Sequence, residues 1–362
     1  MFGFGAPTKN NKDFSIPDGT WPSDTISCLD MTPSIKIDHE ILSATSWDGT
    51  IKLWEASHQG ESALVHTFQD SRPLLCTCFS TQKEICFGGL NNEVKLIQID
   101  TLWNNLSSTT VVAKHDKPVK AVKCIPECQF PYSNLVVSGS WDGTVKFSDK
   151  RLPPEKTVHK IDFSAKIISM DVSHGYMVVA TTNRNVRIYD LRGVEPRLVD
   201  DSSNQLDHQY TDVSMLSDEV YAIGSIEGRT AIKYFNQPQK SYAFKCHRQD
   251  ENNGHKSAYP VTGIAKHPFE TFATVGGDGD FVFWDYKARS RLKKCSLNGN
   301  IENNTITCCS FNTTGNLFAY AVGYDWSLGP KKDTSEGNCI YFHICEESEI
   351  QPKDKKTNRR RH

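Results

Sequence analysis

Short alternating strands separated by tight turns fill most of this chain. In Ser46-Trp-Asp-Gly-Thr-Ile-Lys-Leu-Trp54 an Asp-Gly pair is followed by apolar side chains at every second position. Asp-Gly suits the positive φ of a tight hairpin, and a period of two is typical of a strand with one buried face. The segments Ser140–Ser148 and Gly276–Trp284 repeat the pattern. No amphipathic helix of ten or more residues can be recognised, so the pattern favours an all-β protein.

Weaker copies of the same unit occupy the intervening sequence: Gly89–Ile97, Thr181–Tyr189, Ser225–Ile232 and Gly337–His343. Equivalent points in the seven copies are 41 to 59 residues apart. This spacing brackets the roughly 40–45-residue period of WD40 repeats, each of which forms a four-stranded blade. We therefore predict a seven-bladed WD40 β-propeller, a single domain over residues 13–350, between a disordered segment 1–12 and a basic disordered tail 351–362.

The two ends of the predicted ring must meet, because an open ring would leave two unpaired strand edges. Asp13-Phe-Ser-Ile16 precedes a turn-like Pro-Asp-Gly and suits a strand that pairs with the last blade. Thr25–Leu29 is then the first strand of the first blade.

The aspartates of the three strong repeats, Asp48, Asp142 and Asp278, are expected to brace their own turns. In WD40 proteins such an aspartate also accepts a hydrogen bond from a buried histidine. His115, which lies 27 residues before Asp142, is the candidate partner. Trp54 and Trp284 are expected to lie between blades. We favour this structural interpretation of the signature over a catalytic aspartate.

Composition places few further constraints on function. The chain has 362 residues with 41 Lys+Arg and 43 Asp+Glu, a net charge of −2. Residues 351–362 hold six basic residues and one acid, so the rest of the chain carries −7 and is not a general polyanion binder. That tail suits a nuclear-localisation segment, an RNA-contacting arm or a solvated end equally well. The start, Phe2-Gly-Phe-Gly5, has too few FG units to predict a transport-receptor contact.

The motifs of the common catalytic and metal sites are missing from the sequence. It has no Walker phosphate loop, no Gly-x-Ser-x-Gly elbow and no His-Glu-x-x-His helix. The 12 cysteines form no two Cys-x-x-Cys pairs at zinc spacing, and without a signal peptide we expect free thiols. We therefore predict no catalytic residue, metal, cofactor, small-molecule substrate or membrane span, and a non-enzymatic interaction protein.

A more specific pattern lies in the second half of the chain. Its strings are Gly224-Ser-Ile-Glu-Gly-Arg229, Phe244-Lys-Cys-His-Arg248, His267-Pro-Phe-Glu-Thr-Phe-Ala-Thr274, Phe283-Trp-Asp285, Lys287-Ala-Arg289 and Tyr324-Asp-Trp-Ser327. Together with His115–Lys120 they resemble the nuclear-pore mRNA-export WD40 family, whose members bind the GLEBS motif of a GLFG-repeat nucleoporin. The spindle-checkpoint WD40 protein is a close relative that shares the Glu-Gly-Arg and Phe-Lys-Cys-His-Arg strings.

The resemblance implies that a GLEBS peptide lies across the top face and that its acidic residues meet paired arginines. By motif match these are Arg229 and Arg248, with Lys245 nearby. Guanidinium groups hold carboxylates in bidentate pairs, which suits this role. The alternative is that each arginine braces a local acidic residue.

The resemblance also implies a basic, aromatic groove on the side of the propeller, able to take single-stranded RNA or cargo. The matching positions are Phe244, Trp284, Asp285, Lys287 and Arg289. Trp284 is also the signature tryptophan, which is more often a core residue. Tyr286 stands where family members often have Lys, which weakens the positive field.

The function expected from the resemblance is a scaffold in the nucleus, at the nuclear pore complex and shuttling to the cytoplasm, that supports mRNA export. Its partners would be a GLEBS-containing nucleoporin and, further, single-stranded RNA or mRNP proteins. The alternatives are a spindle-checkpoint adaptor that binds checkpoint kinases, a mainly RNA-binding protein, and an enzyme with its site in the central channel.

Overall fold

The computed structural model describes residues 13–33, 39–99, 109–125, 134–203, 205–250, 256–297, 305–327, 329 and 338–352. These residues form seven four-stranded antiparallel sheets and one separate two-stranded hairpin. The predicted disordered segment 1–12 and all but the first two residues of the predicted tail lie outside the described residues. The described strands fall between residues 13 and 344.

Each sheet is one blade, and the first six blades are built from four consecutive strands each. Blade 1 holds β2 (Ile26–Met31), β3 (His39–Ser46), β4 (Thr50–Ser57) and β5 (Ser62–Gln69); blade 2 holds β6 (Leu74–Thr81), β7 (Glu84–Gly89), β8 (Glu93–Gln98) and β9 (Thr110–Lys114). Blade 3 holds β10 (Val119–Cys124), β11 (Leu135–Ser140), β12 (Thr144–Asp149) and β13 (His159–Asp162); blade 4 holds β14 (Ile167–Ser173), β15 (Tyr176–Thr181), β16 (Asn185–Asp190) and β17 (Arg197–Ser203).

The second half of the ring differs by one insertion and by its closure. Blade 5 holds β18 (Tyr210–Met215), β19 (Val220–Ser225), β20 (Arg229–Tyr234) and β21 (Tyr242–Lys245), and the extra hairpin β22 (Arg248–Asp250) and β23 (Lys256–Ala258) follows it. Blade 6 holds β24 (Val261–Lys266), β25 (Phe272–Gly276), β26 (Asp280–Asp285) and β27 (Ser290–Ser296); blade 7 holds β28 (Thr305–Phe311), β29 (Leu317–Gly323), β30 (Cys339–Ile344) and β1 (Asp13–Ser15). The only α-helix in the described residues, α1 (Glu347–Ile350), is far too short to cross a bilayer.

The seven sheets close into a ring. The first strand of each blade contacts the first strand of the next, and β28 contacts β2. The edge of blade 7 is completed by β1, in which Asp13 lies opposite His343 and Ser15 opposite Tyr341. These contacts confirm the seven-bladed propeller and the closing role predicted for residues 13–16. Trp54 is fully buried against Ile340 and Phe342 of blade 7, so it does lie between blades.

The turn between the second and third strands has the same backbone form around the ring. In blades 1 to 6 its last residue has a positive φ: Gly49, Asn92, Gly143, Arg184, Gly228 and Gly279. At Gly143 any side chain would also meet the carbonyl oxygen of Phe163, since a Cβ there would lie 2.8 Å from it. This conformation explains why the sequence signature places Gly after Asp.

The blades are also joined around the central channel, a cavity of about 380 Å³ lined by the first strands. Carboxylates of these strands accept backbone N–H groups of the next blade: Asp30 from Phe79 (2.7 Å), Asp171 from Met215 (2.9 Å) and Asp212 from Ile264 (2.8 Å). Such bonds satisfy buried polar groups while holding adjacent blades in register. The channel carboxylates are thus accounted for as structural groups.

Candidate partner-binding face

One end of the ring gathers the turns between second and third strands and the connections that lead from each blade to the next. Histidines of these connections brace the neighbouring turns. His115 Nδ1 lies 3.1 Å from Asp142 Oδ2, and its Nε2 lies 2.8 Å from Ser138 Oγ. The structure thus places His115 beside Asp142, the partner that the sequence predicts for it. Burial lowers the pKa of His115, so the ring stays neutral and Nδ1–H donates to the carboxylate.

The equivalent network in blade 6 is longer. Trp284 Nε1–H donates to Thr274 Oγ1 (2.9 Å), which contacts His247 Nε2 (2.9 Å). His247 Nδ1 in turn lies 2.7 Å from Asp278 Oδ1. Burial alone would raise the pKa of Asp278, but the hydrogen bond from His247 holds it below its usual value. Asp278 thus bonds within its own corner of the ring, and its partner His247 is not one that the sequence predicts.

Asp48 braces its turn without a histidine. Its carboxylate accepts the backbone N–H of Thr50 (2.8 Å) and that of Ser23 (2.7 Å). The Trp54 indole N–H donates instead to Thr20 Oγ1 at 3.1 Å. The Asp48 carboxylate therefore bonds to its turn through backbone N–H groups and through the hydroxyl groups of Thr50 (2.6 Å) and Ser23 (3.2 Å).

The three residues predicted to bind a partner lie together on this end of the ring. Arg229, the first residue of β20, is directly opposite Lys245, the last residue of β21. The Arg248 guanidinium donates to the carbonyl oxygen of Glu227 (Nη2, 3.0 Å), within the turn that precedes Arg229. We call Arg229, Lys245 and Arg248 the basic cluster. The network around His247 fixes the backbone between Lys245 and Arg248, which positions the cluster.

Arg229 forms only a weak ion pair with the neighbouring acidic residue, Glu227. Glu227 Oε2 lies 3.4 Å from Arg229 Nε and 3.6 Å from His208 Nε2, and neither Arg229 Nε nor Glu227 Oε1 has a hydrogen-bond partner among the residues that the structure describes. The Arg229 side chain is 33% exposed. In the alternative, Arg229 braces a local acidic residue. The structure offers only a loose ion pair with Glu227 for that role. Its guanidinium keeps donors for an incoming carboxylate.

The same position in blade 2 shows the opposite charge pattern. There the residues at the equivalent ends of the third and fourth strands are Glu93 and Lys114, again directly opposite each other. Opposite charges across a strand pair stabilise it, and like charges destabilise it. Blade 5 therefore carries an unfavourable pair, Arg229 and Lys245, where blade 2 has a favourable one.

Large apolar side chains are exposed on the same end of the ring. Trp47, Ile226 and Trp326 are 40%, 47% and 45% exposed, in the turns of blades 1, 5 and 7. The sequence alone does not mark these three residues as site residues, because an apolar side chain in a repeat signature resembles a core residue. The available signal was their place inside the turn, next to Asp or Glu rather than in the alternating strand.

The predicted side groove is only partly formed by its predicted residues. The ring of Phe244 lies 4.6 Å from that of Trp284, and Arg289 lies 4.5 Å from the ring of Tyr242. Asp285 is only 3% exposed and accepts the backbone N–H of Ala288 (2.8 Å), so it braces a turn and does not face the groove. Lys287 is paired with Glu270. Tyr286 is 1% exposed and belongs to the core.

Among the described residues, no group of three or more His, Cys, Asp or Glu side chains is arranged to hold a metal ion. Cations with free donors, beside exposed apolar side chains, are the combination that fits an acidic peptide with apolar anchors.

Comparisons with known proteins agree with this geometry. The family model described as "WD domain, G-beta repeat" matches residues 17–55, 106–149 and 245–285. "Protein Rae1" of Drosophila melanogaster is 35% identical over 339 residues, covering 91% of this chain and 92% of the relative. "Poly(A)+ RNA export protein" of Schizosaccharomyces pombe is 32% identical, covering 92% of each. The chain belongs to the WD40 family of mRNA export factors.

The chain is also similar to proteins whose names do not refer to mRNA export. "Mitotic checkpoint protein bub-3" of Caenorhabditis elegans is 32% identical over 322 residues, covering 86% of this chain and 89% of the relative. The solved structure of U3-55K shares the fold, with a TM-score of 0.70 and 16% identity, covering 94% of this chain and 100% of that one. The fold is thus wider than the family.

Proposed function

We propose that this protein is an interaction scaffold for mRNA export that docks at the nuclear pore by binding an acidic GLEBS-type segment of a GLFG-repeat nucleoporin. The observation that carries the proposal is the like-charged pair of Arg229 and Lys245, directly opposite each other beside Arg248. Such a pair costs stability in the free protein. An acidic peptide that meets the cluster relieves the repulsion and gains charge-assisted hydrogen bonds.

The proposed segment runs from the basic cluster across the ring end. The exposed side chains of Ile226, Trp47 and Trp326 supply apolar contact area there, and such anchors dominate the binding energy of peptide interfaces. Ordering the peptide costs conformational entropy, so a few anchors must carry the affinity. The membership in the mRNA export family supports the nucleus and the nuclear pore as the place of action, with shuttling to the cytoplasm.

The test is binding of a fluorescent GLEBS peptide to the wild type and to a variant that combines Arg229→Glu with Arg248→Glu. We expect at least about 100-fold weaker binding, since two charge-assisted contacts become repulsions. The matched control combines Lys114→Glu with Lys117→Glu, two exposed lysines at the equivalent place between blades 2 and 3. It makes the same change in net charge and should bind within about threefold of the wild type. Unchanged binding by the folded Arg229/Arg248 variant would remove the cluster from the site, and equal losses in both variants would reduce the effect to net charge.

A checkpoint role is the second proposal, supported by the similarity to the mitotic checkpoint protein. It uses the same face for GLEBS motifs of checkpoint kinases. Competition between a nucleoporin peptide and a kinase peptide distinguishes the two proposals, and a clear preference for the kinase peptide would overturn the export assignment.

Direct contact with single-stranded RNA is supported less. Phe244, Trp284 and Arg289 offer an aromatic and cationic surface, but Lys287 is paired with Glu270 and Asp285 is buried. The expected RNA affinity is therefore low, and it should fall only slightly with added salt, because Arg289 is the one predicted groove cation left to meet a phosphate.

A further inference from the structure

Three cysteines meet at the boundary between blades 2 and 3. Cys78 on β6 and Cys86 on β7 are directly opposite each other in blade 2. Cys124, the last residue of β10, belongs to blade 3, and its Sγ lies 3.2 Å from the Sγ of Cys78. Cys78 and Cys86 are buried, whereas Cys124 is partly exposed. The thiol of a partly exposed residue therefore touches a buried thiol across the blade boundary.

The surroundings give Cys124 the character of a thiolate. Hydrogen bonds from Cys78 and Cys86 hold the pKa of Cys124 well below its usual value, and the Ser80 hydroxyl and the Lys150 ammonium act in the same direction. Lys150 is fixed by Ser80 Oγ (2.8 Å) and Glu84 Oε2 (2.6 Å). The thiolate is the nucleophilic form of cysteine, so Cys124 is the reactive member of the three.

The other thiols have the opposite character. Burial raises the pKa of Cys78, and the hydrogen bond to Cys124 raises that of Cys86. Burial likewise raises the pKa of the cysteines elsewhere in the ring: Cys28, Cys76, Cys246, Cys295, Cys308, Cys309 and Cys339. Protonated thiols react slowly with oxidants, and this holds for the partly exposed residues Cys28, Cys308 and Cys309 as well as for the buried ones. The contrast is therefore between one activated sulfur and a set of inert ones.

We propose that Cys124 is an oxidation site for hydrogen peroxide and that Cys78 is its resolving thiol, so that oxidation joins β6 to β10 by a disulfide. The separation of 3.2 Å between the two sulfurs favours this bond. It is shorter than the about 3.8 Å between two thiolates around a tetrahedral zinc ion with Zn–S bonds of about 2.3 Å.

The chemistry has two steps. The Cys124 thiolate attacks one peroxide oxygen, so that an S–O bond forms, the O–O bond breaks and hydroxide leaves, which takes up a proton to give water. The Cys78 sulfur then attacks the sulfenic sulfur; the S–S bond forms, the S–O bond breaks, and the departing hydroxide takes the Cys78 proton as a second water. The two sulfurs are oxidised by two electrons and one peroxide is reduced.

The test is peptide mapping of the full chain after treatment with limiting hydrogen peroxide and dimedone, a trap for sulfenic acids. In the wild type we expect a Cys78–Cys124 disulfide, formed at least about tenfold faster than modification of Cys246 or Cys295. In Cys78→Ala the dimedone adduct should accumulate on Cys124, and in Cys124→Ser both products should disappear. Cys76→Ala, two residues away on β6, is the matched control and should keep the disulfide.

Wild-type mapping decides the proposal even where a variant fails to fold. Modification of Cys124 no faster than that of Cys246 and Cys295 would overturn its assignment as the reactive thiol. A Cys86–Cys124 disulfide, or a lasting dimedone adduct on wild-type Cys124, would overturn the assignment of Cys78. Wild-type labelling of Cys124 at pH 6 as well as at pH 8 would support the proposal, because a thiolate with a low pKa persists at the lower pH.

Discussion

The connection between blades 2 and 3 and the connection between blades 5 and 6 are built on the same frame but are used differently. Each carries a histidine that braces the next turn, His115 to Asp142 and His247 to Asp278. Each returns to the ring at a proline whose carbonyl oxygen accepts a turn N–H, Pro118 from Trp141 and Pro260 from Gly277.

The two connections differ in length and in the charged residues that lie beside them. The first connection is short and lies beside the complementary pair Glu93 and Lys114. The second carries the extra hairpin β22–β23 and lies beside the like-charged pair Arg229 and Lys245. In this ring, hydrogen-bond networks give the two connections the same backbone geometry. The charged residues beside them differ, even though a like-charged pair lowers the stability of its blade.

Removing the histidines is expected to have the largest effect on stability. His115→Ala and His247→Ala each remove one donor from a turn carboxylate that keeps its backbone donors, which typically costs about 1–3 kcal/mol. His247→Ala should cost more, because Asp278 is wholly buried whereas Asp142 is slightly exposed, and because Thr274 loses the bond that links it to the turn. Urea unfolding of both variants measures the difference; an equal loss would show that the frames are energetically alike.

Exchanging the rim charges should have smaller effects of opposite sign. Arg229→Glu recreates the arrangement of blade 2 opposite Lys245 and should stabilise the free protein by about 0.5 kcal/mol. Glu93→Arg recreates the arrangement of blade 5 opposite Lys114 and should destabilise it by a similar amount. Thermal unfolding of the two variants tests the idea. If both variants were destabilised, the like-charged pair would have no special cost.

Of these predicted effects, the change of the free energy of unfolding with pH should be the smallest and most gradual. Burial lowers the pKa of His115, so the folded protein resists a proton that the unfolded chain takes up near pH 6.5. The contribution of His115 to stability is therefore complete above that pH and is lost as the pH falls below it. His115→Gln should flatten this part of the curve of unfolding free energy against pH. An unchanged slope below pH 6.5 would show that other groups cause the acid sensitivity.

Much of the ring could be read from the sequence because its signals are local. The Asp-Gly turns, the strand alternation and the closing strand at residues 13–16 each depend on a few neighbouring residues, and the structure confirms them. The partnership of His115 and Asp142 was also readable, because the spacing between the two belongs to an uninterrupted repeat.

The remaining features depend on register and on insertion. His247 was missed because the inserted hairpin β22–β23 stretches the interval before Asp278. The placement of Arg229 opposite Lys245 depends on the strand register of β20 and β21, which no composition or period reveals. Asp285 was assigned to the side groove by resemblance, whereas its burial in a turn follows from three-dimensional packing.

The pairing of β1 with β30 has a consequence for the making of the protein. Asp13 and His343 are 330 residues apart, so the seventh blade joins an early part of the nascent chain to a late one. A ribosome that adds roughly 5–20 residues per second needs tens of seconds to synthesise the residues between these two strands. During that time β1 has no β30 with which to pair. A chain that stops before β30 cannot form this pairing, and the edge strand that it leaves unpaired is open to association with other chains.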